Sequence, residues 1–431
     1  MTAKQLTLEI ESPASDRLKR ELADFNTFGK NTIVTSTEAA TEHVLKKSYS
    51  ECDQIRIETY VNEFWTAKQR EANALHEISY RACFKPQLPR FFIERLTLPG
   101  DAVYDPFAGR GTTLIESALL GRVPMGCDVN PLSSIMTLPR LNPPTTEQVA
   151  DRLSHIELED ADEYPEELLV FYHPETLKQI CSLKKYLIEK ASKLDWIDHW
   201  IRLVALNRLT GHSSGFFSVY TLPPNQAVSV NSQKKINQKR NQKPPLRDSK
   251  NLILKKTRAL LKHCDDQTRH TLTGVFPQAQ ILTQPSHSVP EIASNSVSLV
   301  VTSPPFLDIV NYAQDNWLRC WFCGIDPATV PITMARKVEQ WQREMTKVFL
   351  ELARVLKPGG HIAFEVGEVR HGKVKLEEAV IPCGIEAGLT PLLVLINDQK
   401  FTKTANVWGV DNTKKGTNTN RVVVFKKEMR E

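Results

Sequence analysis

The stretch GDAVYDPFAGRGTTLIESALLGRVPMGCDVNP, from Gly100 to Pro131, constrains the fold more than any other part of the chain. The 431 residues contain only 18 glycines, yet five of them (100, 109, 111, 121 and 126) fall between Gly100 and Gly126. Glycine at that density marks tight turns or a close approach of backbone to a ligand. Ala102 to Asp105 reads as a short buried strand, Pro106 to Gly111 as a turn, and Thr112 to Leu120 as a helix stopped by Gly121. Pro124 to Val129 reads as a second strand, with Asp128 and Asn130 at its tip. A strand, a glycine-rich turn, a helix and a second strand open a doubly wound α/β domain.

The same residues limit the ligand. A dinucleotide fingerprint needs a third glycine after Gly109 and Gly111, but Leu114 stands at that position. No Lys-Ser/Thr pair follows the turn, which excludes a P-loop. Asp128 suits ribose hydroxyls. A nucleoside ligand without a pyrophosphate fits best, and S-adenosylmethionine is the common one.

Further strands are predicted at 279–283, 297–302, 361–366, 391–397 and 421–426, which makes seven with the first two. Between the two groups, residues 150–210 read as mostly helical, and SKNLILKKTRALLKH has helical spacing. The expected organisation is an N-terminal arm or small helical extension over 1–60 and a first core segment over 61–140. An insertion over 141–275 and a second core segment over 276–431 complete it. The expected fold is a doubly wound, mostly parallel seven-stranded sheet with a mainly helical, partly basic insertion.

A second motif, Thr302-Ser303-Pro304-Pro305-Phe306, ends the buried strand 297–302. Two consecutive prolines donate no backbone hydrogen bonds, so the turn presents carbonyl oxygens rigidly. Carbonyls beside a hydroxyl and an aromatic ring can hold the exocyclic amine of a flat base.

DPFAGRGTT followed by TSPPF resembles the amino-methyltransferases of DNA, which methylate cytosine N4 or adenine N6. The resemblance covers about 61–140 and 275–428. His76 to Tyr80 and Phe84 to Pro86 resemble the family's leading motif, and Arg354 to Gly360 and Thr419 to Phe425 resemble its later core strands. It implies a class I methyltransferase (Rossmann-like) fold with S-adenosylmethionine as cofactor. Asp105 would meet the methionine end, Gly109 and Gly111 would allow close approach, and Asp128 would hold the ribose. Phe107, Thr112 and Asn130 complete the implied cofactor set. Ser303, Pro304, Pro305 and Phe306 would be catalytic, with Phe306 stacking on a flipped base. A serine at position 303 is typical of the N4-cytosine enzymes. N6-adenine and RNA guanine-N2 methylation are the alternatives, as is a non-catalytic DNA-binding protein on such a core. One departure is the stretch Thr283-Gln-Pro-Ser-His287, where many members carry an acid near the adenine pocket.

Charge distribution points to the partner. Between Asn231 and Lys262, eleven Lys and Arg stand against one acid, Asp248. This segment carries +10 of a chain whose net charge is +5. Such a segment suits a polyanion, here double-stranded DNA, with Lys234, Lys235, Lys239 and Arg240 as expected phosphate contacts. The alternative is a solvated loop. A monomer is expected, as one part of a restriction–modification system whose endonuclease acts independently. Eight scattered cysteines suit a reducing cytoplasm. No run of about 18 apolar residues is present, so no membrane span is expected, and the host would be prokaryotic or phage. Pro382-Cys383 lacks the context of a cytosine-C5 nucleophile, and Cys320-Trp-Phe-Cys323 reads as packed core. His212, in TGHSSGFFSVYTLPP, reads as part of a structured loop before the basic stretch, with DNA contact as the alternative.

Overall fold

The computed structural model describes residues 14–40, 54–66, 72–81, 83–158, 163–222, 228–305, 312–331, 335, 337–369, 374–398 and 419–429. Among the described residues there are eleven strands: β1 (Ile33–Ala40), β2 (Gln54–Asn62), β3 (Ala102–Asp105), β4 (Val123–Cys127), β5 (Gln280–Leu282), β6 (Val297–Thr302), β7 (Leu356–Val366), β8 (Glu368–Val369), β9 (Val374–Lys375), β10 (Thr390–Asp398) and β11 (Thr419–Lys426). Nine form one sheet in the order β1-β2-β10-β11-β7-β6-β3-β4-β5, while β8 and β9 pair separately.

All seven expected strands are in this sheet, but the count of seven is corrected to nine and the sheet is mixed. β11 runs antiparallel to β7 and β10, and β1 antiparallel to β2. The neighbours β2–β10, β7–β6, β6–β3, β3–β4 and β4–β5 are parallel. The two extra strands come from the region read as an irregular or helical arm. That region does contain a helix, Ala14–Ala23. β2, however, pairs with β10 and carries the sheet outward to β1. β1 is exposed at most positions, so its apolar signature in the sequence is thin. An edge strand has few partners to bury against, and hydropathy alternation fades there.

Alternation along the inner strands sorts their side chains onto two faces. Val103, Leu299, Val301, Val422 and Val424 pack towards the helices Ala14–Ala23 and Gln87–Leu96. Tyr104, Val300, Phe364, Val423 and Phe425 pack towards the helices Val338–Val355 and Leu376–Glu386. With both faces covered, the central strands read as continuous apolar runs in the sequence.

The segment between β4 and β5 is helical, as expected. It forms a third core around Phe171, Tyr172, Trp200 and Phe217. That core also takes in Ile115 and Ala118 of the helix Thr112–Leu119 and Leu318 of the helix Tyr312–Cys323. The insertion is therefore packed against the cofactor-side helix and against the helix that follows the Ser-Pro-Pro turn. Among the described residues, no helix is long and apolar enough to cross a membrane.

Candidate active site

β3 and β6 are adjacent and parallel, so their C-terminal ends emerge side by side. The glycine-rich turn leaves one and the Ser-Pro-Pro turn leaves the other. This is the end at which doubly wound sheets bind ligands. A cavity of about 300 Å³ opens there. Asp105, Phe107, Gly109, Thr112, Asp128 and Asn130 of the expected cofactor set line it, and so do Ser303 and Pro305 of the expected catalytic set. Pro304 is buried in the turn between them. Phe306 lies outside the described residues.

One hydrogen bond joins the two turns. Asp105 Oδ1 accepts from the Thr302 hydroxyl at 2.6 Å and from the Phe107 N–H at 3.0 Å. Burial pushes the Asp105 carboxyl up to about 7, against the pull of these donors. Asp128 is braced in a similar way. Its carboxylate accepts from the Gly109 and Asn130 N–H groups, each at 2.8 Å. Burial raises its pKa as well. Two carboxyl groups, Asp105 buried and Asp128 half-buried, thus face one cavity, each oriented by backbone.

The two glycines have different roles. Gly109 lines the cavity with φ +52°, and a Cβ there would meet nothing closer than 3.9 Å. Gly111 also has positive φ, but a Cβ there would lie 2.3 Å from Thr137 Oγ1. Its close neighbour is the helix Leu132–Leu141, so it serves packing of the protein against itself. Arg110, between them, is buried and clamps the leading motif. It donates to the carbonyls of His76, Ile78 and Phe84 and to the Thr112 hydroxyl. That clamp holds Tyr80 and Phe84 over the cavity.

Two residues at this site were not anticipated from the sequence. Glu365, near the end of β7 and buried, accepts from Asn420 Nδ2 at 3.1 Å and lies near enough to the Ser303 hydroxyl to feel it as a donor. Burial raises its pKa and the two donors pull it back. The signal was an acid at the end of an apolar run, HIAFEV, which no local rule explains. Trp341, also buried, donates its indole N–H to the Pro305 carbonyl at 3.0 Å. It fixes the second carbonyl of the turn from a different helix. The stretch before β6, noted for its missing acid, contributes Pro285, Ser286 and His287 to the cavity wall.

The cysteines set aside earlier are packed thiols. Cys383 is buried in the helix Leu376–Glu386, and burial pushes its pKa up to about 12. Cys320 and Cys323 occupy one helix and are likewise pushed up, to about 11 and about 12.

Lys234, Lys235, Lys239 and Arg240 are not at the cavity. They are exposed on the helix Val230–Arg240. Its inner face is held by Gln233 Nε2 on the Tyr220 carbonyl and Asn237 Nδ2 on the Val170 carbonyl. Not every base of the +10 stretch faces out. Lys256 is mostly buried beside Glu77 at 3.7 Å, and burial brings it down to about 8.

Residues 9–133 match the family model described as DNA methylase, the N6/N4 type. A type II methyltransferase of Geobacillus stearothermophilus, M.BsoBI, is 25% identical over 347 residues, covering 71% of this chain and 63% of its own length. M.MvaI of Kocuria varians, also a type II methyltransferase, is 29% identical over 126 residues, 28% of this chain and 25% of its own. Among solved structures, a geranyl diphosphate methyltransferase overlays at a TM-score of 0.33 with 8% identity, covering 80% of this chain and 77% of its own. The family match and the two type II relatives support an amino-methyltransferase. The cofactor is S-adenosylmethionine. The chain spans less than two thirds of the length of these two type II relatives.

The cavity suits that cofactor. The carboxyl groups of Asp105 and Asp128 match a cationic methionine end and ribose hydroxyls. Phe107, Trp341, Met345 and Val348 offer an apolar wall for a flat base. The volume lies at the small end of ligand pockets.

Proposed function

We propose that the chain is a DNA methyltransferase that methylates the exocyclic N4 of cytosine in double-stranded DNA, as the modification half of a restriction–modification system. The carrying observation is the Ser303 hydroxyl at a cofactor-sized cavity, beside buried Glu365 and set in a turn whose prolines donate nothing. S-adenosylmethionine supplies an electrophilic methyl group on a sulfonium.

The chain's residues would prepare the amine. An aromatic amine is a weak nucleophile because its lone pair is delocalised into the ring. The Ser303 hydroxyl would donate to the neighbouring Glu365, leaving its oxygen to accept from the target N–H. The Pro304 carbonyl takes the second N–H, while Trp341 occupies the Pro305 carbonyl. Two acceptors favour a tetrahedral nitrogen whose lone pair points at the methyl carbon. Holding the reacting atoms about 3–3.5 Å apart accounts for much of the rate. The nitrogen would then gain the methyl as the methyl–sulfur bond breaks, the sulfonium leaving as a neutral thioether, and would lose one proton. Glu365, whose raised pKa makes it a better base than an ordinary carboxylate, receives that proton through Ser303. Asp105 and Asp128 hold the cofactor, and Phe306 is assigned to stacking on the base. The exposed bases of the helix Val230–Arg240 grip phosphates.

The test is the product. Duplex DNA methylated by the purified protein is digested, and the nucleosides are identified by mass spectrometry. N4-methylcytosine is expected. N6-methyladenine alone, or methylation confined to RNA, would reject the cytosine assignment.

A further inference from the structure

A second exposed polar feature adjoins the basic helix. Residues Gly211 to Tyr220 form a compact loop whose two ends meet in a β-bridge. The Thr221 N–H and the Gly211 carbonyl close it at 2.9 Å. Its second half is core: Phe216, Phe217, Ser218 and Val219 are all buried. The Phe217 N–H reaches the Arg208 carbonyl and the Val219 N–H the Phe171 carbonyl, each at 2.8 Å. Beneath the loop, the Arg208 guanidinium lies 4.0 Å from the Phe216 ring centre. A Cβ on Gly211 would meet that ring at 2.4 Å, so the loop base tolerates glycine alone. Compact loops packed by their own side chains are frequently functional.

Only the tip, His212-Ser213-Ser214, is exposed. It carries an imidazole and two hydroxyls, groups that both donate and accept hydrogen bonds. The base of the loop is fixed against the basic helix. The Tyr220 carbonyl, at the loop's far end, accepts from Gln233 at 3.1 Å and from Gln242 at 3.0 Å. The Arg240 guanidinium stacks 3.8 Å over the Tyr220 ring. It is also tied to the catalytic half. Phe171, which holds Val219, packs on Trp317 with ring centres 6.2 Å apart. Trp317 lies in the helix Tyr312–Cys323 and donates to the Val228 carbonyl, two residues before the basic helix.

We propose that His212, Ser213 and Ser214 form the base-reading element of the protein, contacting base edges in a groove of duplex DNA while the neighbouring helix holds phosphates. This rests on the reading of DNA as substrate. Phosphate contacts position a protein without sequence information, so the discriminating groups must be hydrogen-bonding side chains on a rigid support. The tip has both properties and can accept as well as donate, whereas the lysines of the helix only donate.

The test uses the full chain with His212, Ser213 and Ser214 all changed to Ala, and His212→Gln as a milder variant. The exposed tip makes normal folding the expectation, checked by Tm and by calorimetric cofactor binding. Methylated sites are mapped by single-molecule sequencing, and affinities for cognate and random duplexes are compared. The triple variant should lose about tenfold or more in cognate affinity while random-duplex binding and its salt slope stay unchanged. Its methylation motif should relax at one or more positions, and His212→Gln should shift preference at a single position. An unchanged motif, or equal losses on cognate and random DNA, would overturn the proposal. A wild-type protein that methylates no duplex DNA would instead defeat the substrate reading on which it rests.

Discussion

The cavity at the ends of β3 and β6 and the exposed helix Val230–Arg240 handle charge in opposite ways. At the cavity, Asp105 and Asp128, and near Ser303 the buried Glu365, are held by hydrogen bonds in places where burial disfavours their charge. On the helix, Lys234, Lys235 and Lys239 are exposed to solvent, and so is Arg240 on its Tyr220 ring. Buried groups gain strength from low dielectric and fixed geometry, and they respond to pH. Exposed groups act at a distance, respond to salt and tolerate imprecise placement. Chemistry at one amine needs the first kind of site. Gripping a phosphate backbone needs the second.

Catalysis gives the sharpest test of the buried side. Ser303→Ala and Glu365→Gln should each lower kcat by about 10²–10⁴-fold, with cofactor affinity nearly unchanged. The double variant should be little worse than either single one, because residues acting as a unit are not additive. Cys383→Ala should remain active. A Glu365→Gln enzyme with normal kcat would reduce that carboxyl to a strut for β7.

The exposed side is tested by salt. Changing Lys234, Lys235, Lys239 and Arg240 together to Ala should weaken cognate and random DNA by similar factors. The slope of log K against log salt should become shallower by up to about 3–4 units, at about 0.9 for each phosphate neutralised. Cofactor binding should not move. A slope identical to wild type would leave these bases as solvated surface.

The mildest effect concerns pH. Asp105 titrates near 7 when folded, against 3.8 ordinarily. A cationic ligand needs its carboxylate form, so cofactor affinity should fall as pH drops below about 7, by at most about tenfold per unit. Its contribution to stability has the opposite sense. A raised folded pKa stabilises fully below about 4, and that stabilisation is lost as pH rises through about 7. Asp105→Asn should remove both dependences, followed by calorimetry and by thermal unfolding across pH 4–8. A flat affinity profile in the wild-type protein would place the ligand's charge elsewhere.

Both turns, the seven central strands and the helical character of the insertion were legible in the sequence alone. Each is set by local chemistry. Glycine permits the positive φ of Gly109 and Gly111, paired prolines remove donors from the Ser303 turn, and buried parallel strands leave unbroken apolar runs. The clustering of positive charge was equally readable, since it needs only counting. Tertiary structure decided the rest. β1 and β2 joined the sheet through pairing with β10, distant in the chain, and an exposed edge leaves little hydropathy pattern to read. Gly111 proved to be required by Thr137 of the helix Leu132–Leu141, a contact that spacing cannot reveal. Glu365 and Trp341 gained their places at the Ser303 turn because β7 lies beside β6 and the helix Val338–Val355 covers that face. A side chain's role in a site depends on what lies across the sheet from it, and only the folded chain brings those residues together.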